Sequence, residues 1–142
     1  MKSIKSYLLI ISVFTLLTSC SSLVPKTEVV ATKNYVVLTK KVQQIKPIVL
    51  AAKALATEDG KDFGNFKVII CGKTVTDLTD KELIAEYLEM AKKNNVTLVA
   101  CGFSLKKFKV SPDSIPKEIE VVDNGILYNF QLQKSGYISI EL

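Results

Sequence analysis

Two apolar runs in this chain end the same way. Val68-Ile69-Ile70-Cys71-Gly72 and Thr97-Leu98-Val99-Ala100-Cys101-Gly102 each close on Cys-Gly, and their cysteines lie 30 residues apart. That spacing suits one strand–helix–strand unit. Both runs are nearly continuous rather than alternating, as strands are when helices cover both faces of a sheet. Parallel strands of this kind place both thiols at strand carboxyl ends, the edge where open α/β sheets hold their ligands.

The same rhythm extends along the chain. Tyr35-Val36-Val37-Leu38 reads as a first strand, and Ile45, Ile48, Val49, Ala52, Leu55 and Ala56 fall on one helical face. Pro47 fits the first turn of that helix, where a missing N–H costs no bond. Thr57 to Gly64 reads as a polar loop and Phe66 to Cys71 as the second strand. Thr79-Asp80-Lys81-Glu82 has the form of a capping box in which Thr79 caps and Glu82 reaches back. The helix it opens has Leu83, Ile84, Tyr87, Leu88 and Ala91 inward, with Glu82, Glu86, Glu89 and Lys93 in solvent. Val96 to Cys101 is the third strand, Ser104 to Lys109 a short helix, and Ile119 to Val122 a fourth strand. Asp123 or Asn124 caps a last helix, with Ile126, Leu127 and Phe130 expected inward and Gly136 at its end. Tyr137 to Leu142 alternates, which suits a sheet edge. The expectation is an α/β fold: a three-layer α/β/α sandwich on a mainly parallel five-stranded sheet, spanning residues 35–142.

Residues 1–19 have the form of a secretion leader. Lys2 and Lys5 precede an apolar stretch from Tyr7 to Leu17, which suits a signal peptide better than a membrane span. Leu17-Thr18-Ser19-Cys20 resembles a bacterial lipobox, in which cleavage before Cys20 is coupled to its lipidation; the alternative is a plain signal peptide that ends near a Cys. The lipobox reading makes 20–34 a lipidated N-terminus and tether and puts the folded domain in the bacterial cell envelope, lipid-anchored on the periplasmic face. Ser21 after Cys20 leans toward the outer membrane over the inner.

Several chemistries are excluded by what is missing. The chain has no His, which removes Ser-His-Asp and Cys-His catalysis and every His-containing metal site. It has neither a Walker A sequence nor G-x-G-x-x-G, and no metal or cofactor is implied. Loss of Lys2 and Lys5 with the leader lowers the net charge from +5 to +3, with no basic stripe of the kind that binds nucleic acid. Nearly half of the chain is apolar, so a core forms without a disulfide staple.

The thiols carry what chemistry remains. Cys101 precedes Gly102 and a short helix, with Lys106 and Lys107 close behind. A helix N-terminus and nearby lysines lower a thiol pKa, and backbone N–H groups at Gly102 and Phe103 are candidate holders of an anionic sulfur. Equally, a Cys at a strand end is often a small buried hydrophobe. Cys71 leads into a longer stretch before its helix, which suits a structural thiol. A Cys71–Cys101 redox pair is a third possibility, decided by strand order.

Phe66 to Gly72, Val96 to Lys107, Glu120 to Ile126 and Gly136-Tyr137 together resemble the DsrE/DsrF-like family, and Val99-Ala100-Cys101-Gly102-Phe103-Ser104-Leu105 is similar to its active-cysteine loop. The resemblance implies a flavodoxin-like sandwich assembled as a homo-oligomer. It also implies sulfur relay, with a persulfide on Cys101 passed between donor and acceptor proteins or small sulfane-sulfur compounds. Cys71 stands where many relatives have His, and the lipid anchor departs from the family's cytoplasmic branches. The alternative function is a non-catalytic binding or assembly lipoprotein with an inert, buried Cys, so enzymatic activity stays open.

Overall fold

The computed structural model describes residues 32–142. Cys20, the leader and nearly all of the tether lie outside the described residues. Strands β1 (Lys33–Thr39), β2 (Phe63–Ile70), β3 (Val96–Cys101), β4 (Glu120–Val122) and β5 (Tyr137–Glu141) alternate with helices α1 (Ile45–Asp59), α2 (Lys81–Lys93), α3 (Gly102–Lys107) and α4 (Gly125–Lys134). The sheet order is β4-β3-β2-β1-β5, and every neighbouring pair is parallel.

The chain steps outward from β1 to β4, with α1 and α2 on one face. Helix α4 then carries it back across the other face to β5. Val68, Ile70, Leu98 and Ala100 bury against the α1/α2 side with Ile45, Val49 and Ile84. Val36, Leu38, Ile69, Cys71, Val99 and Cys101 bury on the α4 side with Leu132. Neighbouring residues of β2 and β3 thus go to opposite cores, which is why both runs read as continuous. The molecule is the three-layer α/β/α sandwich expected from the rhythm, on an all-parallel five-stranded sheet, with β5 at the sheet edge, next to β1.

Three local expectations are corrected. Asp80, not Thr79, caps α2: its Oδ1 accepts the N–H groups of Glu82 and Leu83 at 3.1 Å each, while the Thr79 hydroxyl donates to the Thr76 carbonyl. Thr57 to Gly64 is not a loop. Helix α1 runs to Asp59, a single 3-10 turn follows, and β2 starts at Phe63. Asp59 extends the helix because its carboxylate, 2% exposed, is held by Lys33 Nζ at 2.6 Å and the Tyr35 hydroxyl at 2.5 Å, both from β1.

Third, Ile126, Leu127 and Phe130 point outward, 57%, 55% and 57% exposed. Gly125 and Leu132 are buried and Tyr128 packs against the same core. Those positions, at i, i+3 and i+7, form the inward face of a helix. The close approach of Gly125 to the sheet fixes that rotation, and the apolar residues at 126, 127 and 130 follow outward.

The Asp59 cluster predicts an acid-sensitive stability. Hydrogen bonds from Lys33 and Tyr35 hold the Asp59 carboxyl below its ordinary value. A depressed folded pKa contributes stability that is full above the unfolded value, about 3.9, and lost as pH falls through the folded value. Urea midpoints of wild type and Asp59→Asn should therefore differ at neutral pH and converge as the pH falls below that range. A gap that persists unchanged at low pH would remove the charge from the explanation.

Candidate functional site

The site is built where β2 and β3 end. Ile70 and Ala100 are register partners, so Cys71 and Cys101, one residue further on, stand side by side. Both side chains face α4, and the residues are 5% and 3% exposed. The N-terminus of α4 sits on top of them. The Gly125 N–H donates to Cys101 Sγ at 3.2 Å. A Cβ on Gly125 would stand 2.7 Å from Cys71 Sγ and 3.0 Å from Cys101 Cβ, so only glycine lets the helix approach this closely. Asn124 completes the turn, its Oδ1 accepting the N–H groups of Ile126 and Leu127 at 3.0 and 3.2 Å. The first peptide dipoles of α4 are thereby aimed at the sulfurs.

Ser104 closes the other side. It is buried, and its Oγ accepts the Gly72 N–H at 2.9 Å, tying the end of β2 to α3. Gly72 has φ +78°, a left-handed conformation that glycine adopts without strain.

The two thiols are shifted in opposite directions. Burial pushes Cys101 up, but hydrogen bonds from the Ser104 hydroxyl, the N–H groups of Gly125 and Ser104, and the Cys71 thiol outweigh it, leaving Cys101 below an ordinary thiol. Burial first, then the charge on Cys101 and the hydrogen bond given to it, push Cys71 up to about 12; Lys40 offsets this only in part. Of the two thiols, Cys101 is the one biased toward the thiolate and Cys71 the one biased toward S–H.

The family model described as DsrE/DsrF-like matches residues 33–140. The chain belongs to the DsrE/DsrF-like family. Among solved structures it is similar to a protein of unknown function, MTH1491, from Methanobacterium thermoautotrophicum. The TM-score is 0.67 at 14% identity, over 78% of this chain and 99% of that one, which speaks for a shared fold. No curated protein matches.

Within this DsrE-like domain the residues singled out by sequence separate. Cys71 and Cys101 come together. Gly102 packs on β4, where a Cβ would meet the Val122 carbonyl oxygen at 2.9 Å. The Phe103 N–H is not free to hold sulfur: it donates to the Asp123 carbonyl at 2.7 Å, and the residue is 62% exposed. Lys106 lies exposed in the last turn of α3, away from the helix N-terminus that Cys101 caps. The lysine that acts on the pair electrostatically is Lys40, whose side chain passes over Gly72 and pairs with Glu141 of β5.

Gly125, Ser104 and Lys40 are the contributors that sequence reasoning passed over. Asn124-Gly125 was legible as a helix start, but its contact with Cys101 spans 24 residues. Ser104 lies three residues after Cys101, but its tie to the Gly72 N–H spans 32 residues. Among the described residues no three His, Cys, Asp or Glu side chains converge as metal ligands.

Proposed function

We propose that this DsrE-like protein carries sulfur on Cys101, outside the cytoplasm, anchored to a membrane by lipid on Cys20. The observation that carries the proposal is the Gly125 N–H aimed at Cys101 Sγ from the start of α4. An anionic sulfur is the species such a donor favours. In the first step the Cys101 thiolate attacks a sulfane sulfur of a donor. The new S–S bond forms as the bond to the rest of the donor breaks, and the electron pair leaves with the shortened donor. In the second step an acceptor thiolate takes the outer sulfur, and Cys101 leaves as thiolate. Ser104 and Gly125 favour negative charge on Cys101 Sγ before the first step and as it leaves in the second; in the persulfide between them the charge lies on the outer sulfur. The exposed apolar stripe Ile126, Leu127 and Phe130 on α4 supports contact with further copies of the chain beside the site.

Intact mass tests this. The full chain with Cys20→Ser, treated with polysulfide, is expected to gain about 32 Da, one sulfur atom, and the same chain with Cys101→Ser to gain none. No gain at any time together with no released sulfide, or the same gain in both, would sink the carrier.

One observation favours a second reading. Cys101 is 3% exposed, as an inert structural thiol is. A binding or assembly lipoprotein of this fold would show no reaction of Cys101 with a thiol reagent until unfolded.

A further inference from the structure

The carrier reading uses one thiol, yet the fold places two side by side. Cys71 and Cys101 follow the register pair Ile70 and Ala100 on adjacent parallel strands. Such strands lie about 4.8 Å apart, inside the roughly 4.4–6.8 Å range of Cα separations that a disulfide bridges. Both side chains point to the same face, under the same glycine: a single added carbon at Gly125 would crowd Cys71 Sγ and Cys101 Cβ together. The backbone around the pair is fixed on three sides. The Cys71 N–H donates to the Thr39 carbonyl at 2.9 Å, the Gly72 N–H to Ser104, and the Gly125 N–H to Cys101 Sγ. Neither sulfur has to cross the sheet or change strand to reach the other.

We infer that Cys71 is a resolving thiol: it attacks the inner sulfur of a Cys101 persulfide, forms a Cys71–Cys101 disulfide, and expels the outer sulfur as hydrosulfide. The inference rests on the carrier reading for its starting species. The step balances within the site. The bond formed joins Cys71 Sγ to Cys101 Sγ, and the bond broken joins Cys101 Sγ to the outer sulfur. The outer sulfur, anionic in the persulfide, takes the Cys71 proton as Cys71 attacks and departs with the electron pair of the broken bond as HS⁻, so the step needs no free Cys71 thiolate. The two cysteine sulfurs are oxidised to the disulfide and the sulfane sulfur is reduced to sulfide. A second turnover needs an external dithiol reductant, which opens the disulfide by thiol–disulfide exchange. The chain would then reduce sulfane sulfur to sulfide as well as relay it, with the balance set by whether an acceptor thiol or Cys71 reaches the persulfide first.

The test uses the full chain with Cys20→Ser, which leaves Cys71 and Cys101 as its two thiols. The reduced protein is treated with a small excess of polysulfide and desalted. Intact mass, peptide linkage and released sulfide are then followed together. The expected wild-type course is a transient gain of about 32 Da that decays to a loss of about 2 Da, with about one sulfide per chain and a linked Cys71–Cys101 peptide. Cys71→Ser and Cys71→Ala should hold the 32 Da gain and release at least tenfold less sulfide. A wild type that holds the gain as long as these variants, with no linked peptide, overturns the inference and leaves the carrier standing. No gain and no sulfide in any variant overturns both. The linked peptide is read in wild type alone, so the result does not depend on how well a Cys71 variant folds.

Discussion

In the native protein near neutral pH, an alkylating reagent is expected to modify Cys101 and to leave Cys71 unmodified. The thiolate is the reactive form. Cys71 is pushed from the ordinary 9.0 to about 12 by burial and by the charge beside it. At a given pH below 9 it therefore carries roughly a thousandfold less thiolate than an ordinary thiol, since each pKa unit is a factor of ten. Cys101 moves the other way, because the hydrogen bonds from Ser104, Gly125 and Cys71 outweigh its burial. Its alkylation rate should climb with pH to a plateau whose midpoint lies below that of a free cysteine. Low exposure slows the absolute rate at Cys101 without moving that midpoint. Peptide mapping after timed quenching reads both sites in one sample. Equal labelling of the two cysteines, or a Cys101 midpoint at or above that of a free thiol, would refute the polarised pair. Silence at both until denaturant is added would favour the inert-thiol reading.

Much of the scaffold was legible because burial on both faces leaves a plain mark. Val68 to Ile70 and Leu98 to Ala100 are apolar without interruption since alternate residues enter two different cores. The edge position of β5 was legible in the alternation of Ile138 and Ile140 with Ser139 and Glu141, and the strand pairs with β1 alone, although it is the isoleucines that are left exposed. The facing of α4 was not legible. Its sequence carries apolar residues at 126, 127, 128, 130 and 132, and no stripe stands out. The residue that sets its rotation is a glycine, which has no side chain for a periodicity to register. The α2 cap was misplaced by one position because Thr79 and Asp80 are both competent caps, and only the chain's path decides between them.

The site was half legible. The paired Cys-Gly endings mark the carboxyl edge of the sheet, and the adjacency of β2 and β3 then places the thiols together. The donors to Cys101 were placed only in part: α3 does contribute, but through Ser104. Sequence proximity pointed to α3 and to Phe103, whose N–H instead closes on the Asp123 carbonyl. A further donor, the Gly125 N–H, comes from α4, which the chain reaches only after β4. Contacts of that kind depend on how layers stack, which no local pattern records.

Gly125→Ala brings these elements into one measurement. The φ of Gly125 lies outside the left-handed region, so alanine meets no backbone penalty there and the effect is one of space. The added carbon would meet Cys71 Sγ at 2.7 Å, Ile69 Cγ2 at 2.8 Å and Cys101 Cβ at 3.0 Å. All three neighbours sit close to strand backbone, so the N-terminus of α4 must lift instead. Overpacking of this kind costs about 1–3 kcal/mol, read as a lower denaturant midpoint. Lifting the helix also draws the Gly125 N–H away from Cys101 Sγ, and the Cys101 alkylation midpoint should move to higher pH. Cys71→Ala in the same chain removes the nearest obstacle. The double variant should therefore recover part of the lost stability, a coupling of at least about 0.5 kcal/mol. It should not recover the alkylation midpoint, because the Cys71 S–H also stabilises the Cys101 thiolate. An unchanged denaturant midpoint with an unchanged alkylation midpoint would show that α4 does not press on the thiols, and that the Gly125 N–H does not hold Cys101 in its reactive state.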